Sequence, residues 1–138
     1  MADKELVLWK IESITHCLKR IDEKIPKTVE KLKESYDLQD ILSINLERTV
    51  QLSTDIGLHI LSDDFQLRPS SMGEVFIALA EEKIISKSLG ENLKKAVGFR
   101  NISVHAYQKI DWDIVYSIVT KHLKDFKDYI RSIVTFLK

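Results

Sequence analysis

The chain has 138 residues, of which 44% are apolar and 30% charged, and its 21 basic and 21 acidic side chains cancel to a formal net charge of zero. A chain of this length can bury about two-thirds of its unfolded surface in one core, and the composition excludes a disordered or fibrous protein. The neutral balance removes any bulk-charge argument for a nucleic-acid partner. The single cysteine, Cys17, cannot form an internal disulfide, and the opening "MADKELVLWKIE" alternates charged with apolar residues, unlike a secretory leader. No stretch of about 18 apolar residues exists. The expectation is a cytoplasmic chain with no membrane span, forming one domain over residues 1–138.

Along the first segment, Val7, Ile11, Ile14, Leu18, Ile21 and Ile25 recur at spacings of four and three, which predicts an amphipathic helix ended by Pro26. "KTVEKLKESYD" is polar and reads as a connection with room for one helical turn. A second helix is expected over residues 37–62, with Leu38, Leu42, Asn45, Thr49, Leu52, Ile56 and Ile60 on one face, and "DDFQLRP" after it is expected to be a loop. Ser71 and Glu74 form a capping-box pattern that opens a short third helix, "EVFIALAEEKII". Ser86 or Ser88 starts a fourth. Asp111 caps a last helix whose stripe is Val115, Ile118, His122, Phe126, Tyr129, Ile133 and Leu137. With four glycines, two prolines and no strand pattern, the prediction is an all-α bundle of four to five mostly antiparallel helices.

The fourth helix carries "GFRNISVHAYQK", residues 98–109. At 100° per residue, Leu89, Leu93, Ala96, Arg100, Val104 and Tyr107 share one stripe roughly 80° wide, so Arg100 stands where the pattern asks for an apolar side chain. An unpartnered buried guanidinium is costly because it stays charged. Arg100 therefore either reaches the bundle edge, pairs with a carboxylate of a neighbouring helix, or serves a phosphate. His105 lies about 140° away on the wheel and shares a face with Lys94, Gly98 and Asn101. The glycines Gly90 and Gly98 imply either close helix packing or a shallow cleft. Residues 83–109 hold six cations against one carboxylate, Glu91. His16, His59 and His122 lie on separate helices at no metal-ligand spacing, and no phosphate-cradling glycine loop occurs. Neither a metal nor a cofactor is expected. Histidine ordinarily titrates near neutral pH and suits proton transfer, and arginine suits phosphate.

The pattern R-x4-H-x-Y, formed by Arg100, His105 and Tyr107 with the polar Asn101 after the arginine, resembles the HepT toxin family of HEPN-domain proteins. "LGENLKKAVGFRNISVHAY" and "DIVYSIVTKHLKDF" are similar to that family as well. The resemblance implies a HEPN-like homodimer that acts as a metal-independent endoribonuclease, the toxin of a toxin–antitoxin pair. It implies an RNA substrate cut at a composite site on the two-fold axis, with catalysis by Arg100 and His105 and support from Asn101, which would orient His105 or bind a phosphate oxygen. It also implies an MntA-like nucleotidyltransferase antitoxin that transfers AMP to Tyr107. The alternative is a non-catalytic HEPN module that binds a nucleotide or partner beside such a transferase.

Overall fold

The computed structural model describes residues 2–138. Helix α1 (Lys4–Lys24) begins where the Asp3 carboxylate accepts the Leu6 N–H at 3.1 Å. It stops two residues before Pro26, whose ring disfavours helical backbone in the residue ahead of it. The polar connection after it holds a short helix, α2 (Val29–Glu34), which buries Leu32. Ser35 then caps α3 (Tyr36–Phe65), the 30-residue spine that packs against α1 and α2 and against helices later in the chain.

Three polar residues on the buried side of α3 satisfy themselves locally. Asn45 donates to the Ile41 carbonyl, and Thr49 and Thr54 donate to the carbonyls of Asn45 and Val50, all at 2.8 Å. These local bonds let a helix with so many polar side chains sit at the centre of the bundle; the Ser53 hydroxyl alone among the buried polar side chains of the described residues is left without a partner. α3 also runs three residues further than the sequence suggested, through Asp63, Asp64 and Phe65. It ends only at Gln66, whose left-handed backbone (φ 52°) lets the Leu67 N–H reach the Leu61 carbonyl at 2.9 Å.

Helix α4 (Met72–Glu81) starts on Ser71, whose hydroxyl accepts the Glu74 N–H at 3.3 Å. The other half of the expected capping box is diverted: the Glu74 carboxylate lies 3.6 Å from Lys94 Nζ. α4 crosses α3 at Gly57, where a Cβ would meet Val75, Leu79 and Tyr129 within 3.0 Å. Tyr129 is fully buried there and donates to the Ser53 carbonyl at 2.7 Å; burial pushes its phenol well above the ordinary tyrosine range.

Helix α5 (Lys87–His105) is capped by Ser86. Its stripe departs from the wheel. Leu89, Leu93 and Ala96 are buried as expected, but beyond them the core takes Phe99 and Ser103, while Val104 and Tyr107 are exposed. The helix ends at His105, and Tyr107 belongs to a following 3₁₀ turn, Tyr107–Lys109. Asp111 caps α6 (Trp112–Ser117), accepting from the Asp113 N–H at 2.9 Å. The last helix is not continuous. A π turn, Ile118–His122, separates α6 from α7 (Leu123–Leu137). The wider π turn shifts the phase of the stripe, so Val119 and Leu123 are buried and His122 turns outward, 3.1 Å from the buried Asp125. No described helix is long and apolar enough to cross a membrane.

Candidate active site

The C-terminal half of α5 lies against one polar stripe of α3. Going up α3 while descending α5, Asp40 meets Tyr107, Glu47 meets Ser103, and Gln51 meets Arg100, so the two helices run antiparallel here. Ser103 is buried, and its hydroxyl donates to Glu47 Oε1.

Arg100 is half-buried. Its Nη2 donates to Gln51 Oε1 at 2.9 Å, and its Nη1 donates to Asn101 Oδ1 at 3.3 Å. Gln51 is fixed from its other end, because its Nε2 donates to Asp55 Oδ1 at 2.9 Å and Asp55 Oδ2 lies 3.7 Å from Lys10 Nζ. The carboxylate partner that the sequence reading allowed for Arg100 is therefore replaced by two neutral amides, and no ion pair among the described residues includes Arg100. Its position is set while its charge is left for an anion.

His105 ends α5 and is exposed, and among the described residues no hydrogen bond joins it to Arg100, Asn101 or Tyr107. Of the two roles considered for Asn101, orienting His105 is not what this geometry does; its carbonyl serves Arg100. The two glycines of α5 also separate. At Gly90 an added Cβ would meet the Phe76 carbonyl oxygen at 3.0 Å and Ala80 Cβ at 3.2 Å, which is close helix packing. At Gly98 nothing lies within 4 Å. Gly98, Asn101, Ile102 and His105, at helical spacings of three and four, form an exposed and thin-walled face.

Tyr107 is 43% exposed and bounds a shallow groove of about 490 Å³ with Asp40, Ile41, Ser43, Ile44 and Glu47. Its hydroxyl donates to Asp40 Oδ1 at 2.8 Å, and its ring makes a T-shaped contact with Trp112, centroids 6.1 Å apart. Partial burial, followed by the hydrogen bond to the Asp40 carboxylate, pushes the phenol up to about 12. Of the other histidines, His59 Nε2 accepts the Asp3 N–H at 3.0 Å at the start of α1, and His16 and His122 are exposed. Among the described residues no three His, Cys, Asp or Glu side chains gather as a metal would require.

Sequence reasoning passed over Asp40, Glu47 and Gln51. The available signal was their spacing with Asp55, at seven, four and four residues, which lays a second, mostly polar stripe, interrupted by Ile44, along a helix already assigned an apolar one.

Comparison with known proteins identifies the family. The family model described as "Ribonuclease HepT-like" matches residues 14–133. The mRNA nuclease HepT of Shewanella oneidensis is 37% identical over 126 residues, covering 91% of this chain and 94% of that protein. The tRNA nuclease HepT of Aphanizomenon flos-aquae is 32% identical over 103 residues, covering 75% of this chain and 70% of its own. Among solved structures, a toxin–antitoxin crystal structure with AMP-PNP superposes with a TM-score of 0.90 at 36% identity, covering 96% of this chain and 99% of that one. A tri-AMPylated Shewanella oneidensis HEPN toxin in complex with MNT antitoxin gives a TM-score of 0.88 at the same identity and coverage. By the family match and by these identities, the chain belongs to the HepT-like ribonuclease family.

Proposed function

We propose that this protein is the toxin of a toxin–antitoxin pair, an RNA endonuclease that works without a metal ion in the cytoplasm as a homodimer. Its partner is an MntA-like nucleotidyltransferase antitoxin that silences it by placing AMP on Tyr107. The whole chain acts as one HEPN-like domain. The observation that carries the reading is Arg100, a guanidinium held half-buried by two neutral amides and left without a carboxylate among the described residues.

Cleavage by the RNA 2′-hydroxyl needs a base at that hydroxyl, an acid at the departing 5′-oxygen, and positive charge at the crowded phosphate. Negative charge on phosphorus grows toward the transition state, so a fixed cation lowers the barrier more than it tightens ground-state binding. Arg100 supplies that cation, and the free amide N–H groups of Asn101 stand beside it for a phosphate oxygen. His105 moves the proton. One chain offers a single histidine on this face, whereas two chains related by a two-fold axis offer an acid and a base at one cleft. The exposed stripe Gly98, Asn101, Ile102 and His105 supports that assembly, because the open space at Gly98 allows a second helix to come close. AMP on Tyr107, two residues from His105, would bring negative charge and bulk to the phosphate site.

The test is cleavage of RNA by the purified chain, with and without a chelator, beside His105→Ala. Wild type should cut equally well with the chelator present. His105→Ala should lose about 10²- to 10⁴-fold, the usual range for removing a general acid or base. Equal cleavage by the two proteins would end the ribonuclease assignment for this site.

A further inference from the structure

Tyr107 does not stand free above its groove. Its hydroxyl is already hydrogen-bonded to Asp40 Oδ1 at 2.8 Å, and Asp40 is exposed on α3 at the groove's edge. The ring also packs against Trp112, with the two ring planes 71° apart. We infer that Asp40 is the general base of the AMP transfer to Tyr107, so that the toxin chain contributes a catalytic residue to its own modification. This rests on the assignment of Tyr107 as the AMP acceptor.

In the reaction, the phenolic oxygen of Tyr107 attacks the α-phosphorus of ATP, which the transferase delivers with its divalent cation. The Tyr107 O–P bond forms as the bond from the α-phosphorus to the bridging oxygen breaks, and pyrophosphate leaves with that electron pair. The phenolic proton passes along the existing hydrogen bond to Asp40. Some acceptor is needed. With the phenol pushed up to about 12 by partial burial and by Asp40, only about one molecule in 10⁵ carries a phenolate at neutral pH. The charged groups that act on the phenol are Asp40 and Glu47, both from α3; from α6 it meets the uncharged ring of Trp112. Glu47 is occupied by the Ser103 hydroxyl. Asp40 alone of the two carboxylates accepts the Tyr107 proton in a hydrogen bond.

The decisive measurement is the rate of the first AMP addition, read by intact mass with peptide mapping. The chain is incubated with its co-purified nucleotidyltransferase antitoxin, ATP and Mg²⁺ across a range of pH. Asp40→Asn should slow the first addition by about 10²- to 10⁴-fold near neutral pH. Its rate should then climb about tenfold per pH unit as hydroxide takes over the proton, and Asp40→Glu should recover part of the loss. Asp40 is exposed, so both variants should melt with the wild type. Modification of Asp40→Asn at the wild-type rate overturns the inference, and so does a slow rate that stays flat with pH, since that is the mark of a merely structural contact. The AMP-acceptor assignment fails separately: a wild-type chain that gains no AMP, or a Tyr107→Phe chain that still does, removes that assignment and the role of Asp40 with it.

Discussion

The two halves of α5 are one continuous helix built for opposite purposes. From Lys87 to about Val97 its inner face is core: Leu89, Leu93, Ala96 and Val97 are buried, and Gly90 lets α4 lie close enough that even a methyl group would press on the Phe76 backbone. From Gly98 to His105 the outer face is exposed, with nothing within 4 Å of a Cβ at Gly98, and the inner face meets α3 through hydrogen bonds, with only Phe99 and Ser103 buried. Apolar packing is non-directional and tolerates small shifts. Hydrogen bonds that the guanidinium donates to the amide oxygens of Gln51 and Asn101 set its direction. The first half holds the fold, and the second half aims a side chain.

The sharpest way to break this contrast is to cut one side chain from each half. Leu93→Ala, at a position 1% exposed, should cost about 2 to 5 kcal/mol and lower the melting temperature by about 10 °C, while cleavage per folded molecule stays near wild type. Arg100→Ala should do the reverse, lowering kcat/KM for RNA about 10²- to 10³-fold with little change in melting. If Arg100→Ala melted as low as Leu93→Ala, the second half would be scaffold and not site.

The glycines give a smaller effect of opposite signs. Gly90→Ala must displace the Phe76 carbonyl or the α4 backbone, and the strain should outweigh the gain in helix propensity, for a net loss of about 1 kcal/mol. Within a single chain Gly98→Ala places its methyl in open space and should stabilise the unassembled protomer, at concentrations too low to dimerise, by about 0.5 to 1 kcal/mol. Urea midpoints moving in opposite directions would establish that the same helix is crowded at one end and uncovered at the other. Two shifts of the same sign would refute it.

What could be read from the sequence was local. The caps at Ser71, Ser86 and Asp111 depend on side chains two or three residues from the amides they serve, and all three form. Arg100 was visible as a charge in an apolar stripe. Its partner Gln51 was not, because it lies 49 residues away, and Asp40 lies 67 residues from Tyr107; on an isolated helix such residues read as a solvated face. The end of α5 was also missed, since neither Gly nor Pro follows His105. The buried Ile110 and the cap at Asp111 imply that the chain must turn within a few residues, and together they could have indicated it. Nothing local marks the π turn at Ile118–His122.

The smallest effect expected concerns Tyr107, and it asks whether the uncovered half is held in place at all. Its phenol is pushed from the ordinary 10.0 up to about 12, first by partial burial and then by Asp40. The folded state therefore favours the protonated form. The stability this contributes is fully present below about pH 10 and is lost as pH rises through about 12. At 43% exposure solvent screens the interaction, so the effect should be slight in melting and clear only in an ultraviolet titration of tyrosine. Because burial is the larger cause, Asp40→Asn should bring the Tyr107 transition only part of the way back toward 10. A full return would mean that Asp40 also holds the ring in its half-buried seat against Trp112, and that removing the carboxylate releases the whole 3₁₀ turn. An unchanged titration would mean that the 2.8 Å hydrogen bond does not persist in solution, and that α5 beyond Arg100 is tied to α3 only through Ser103.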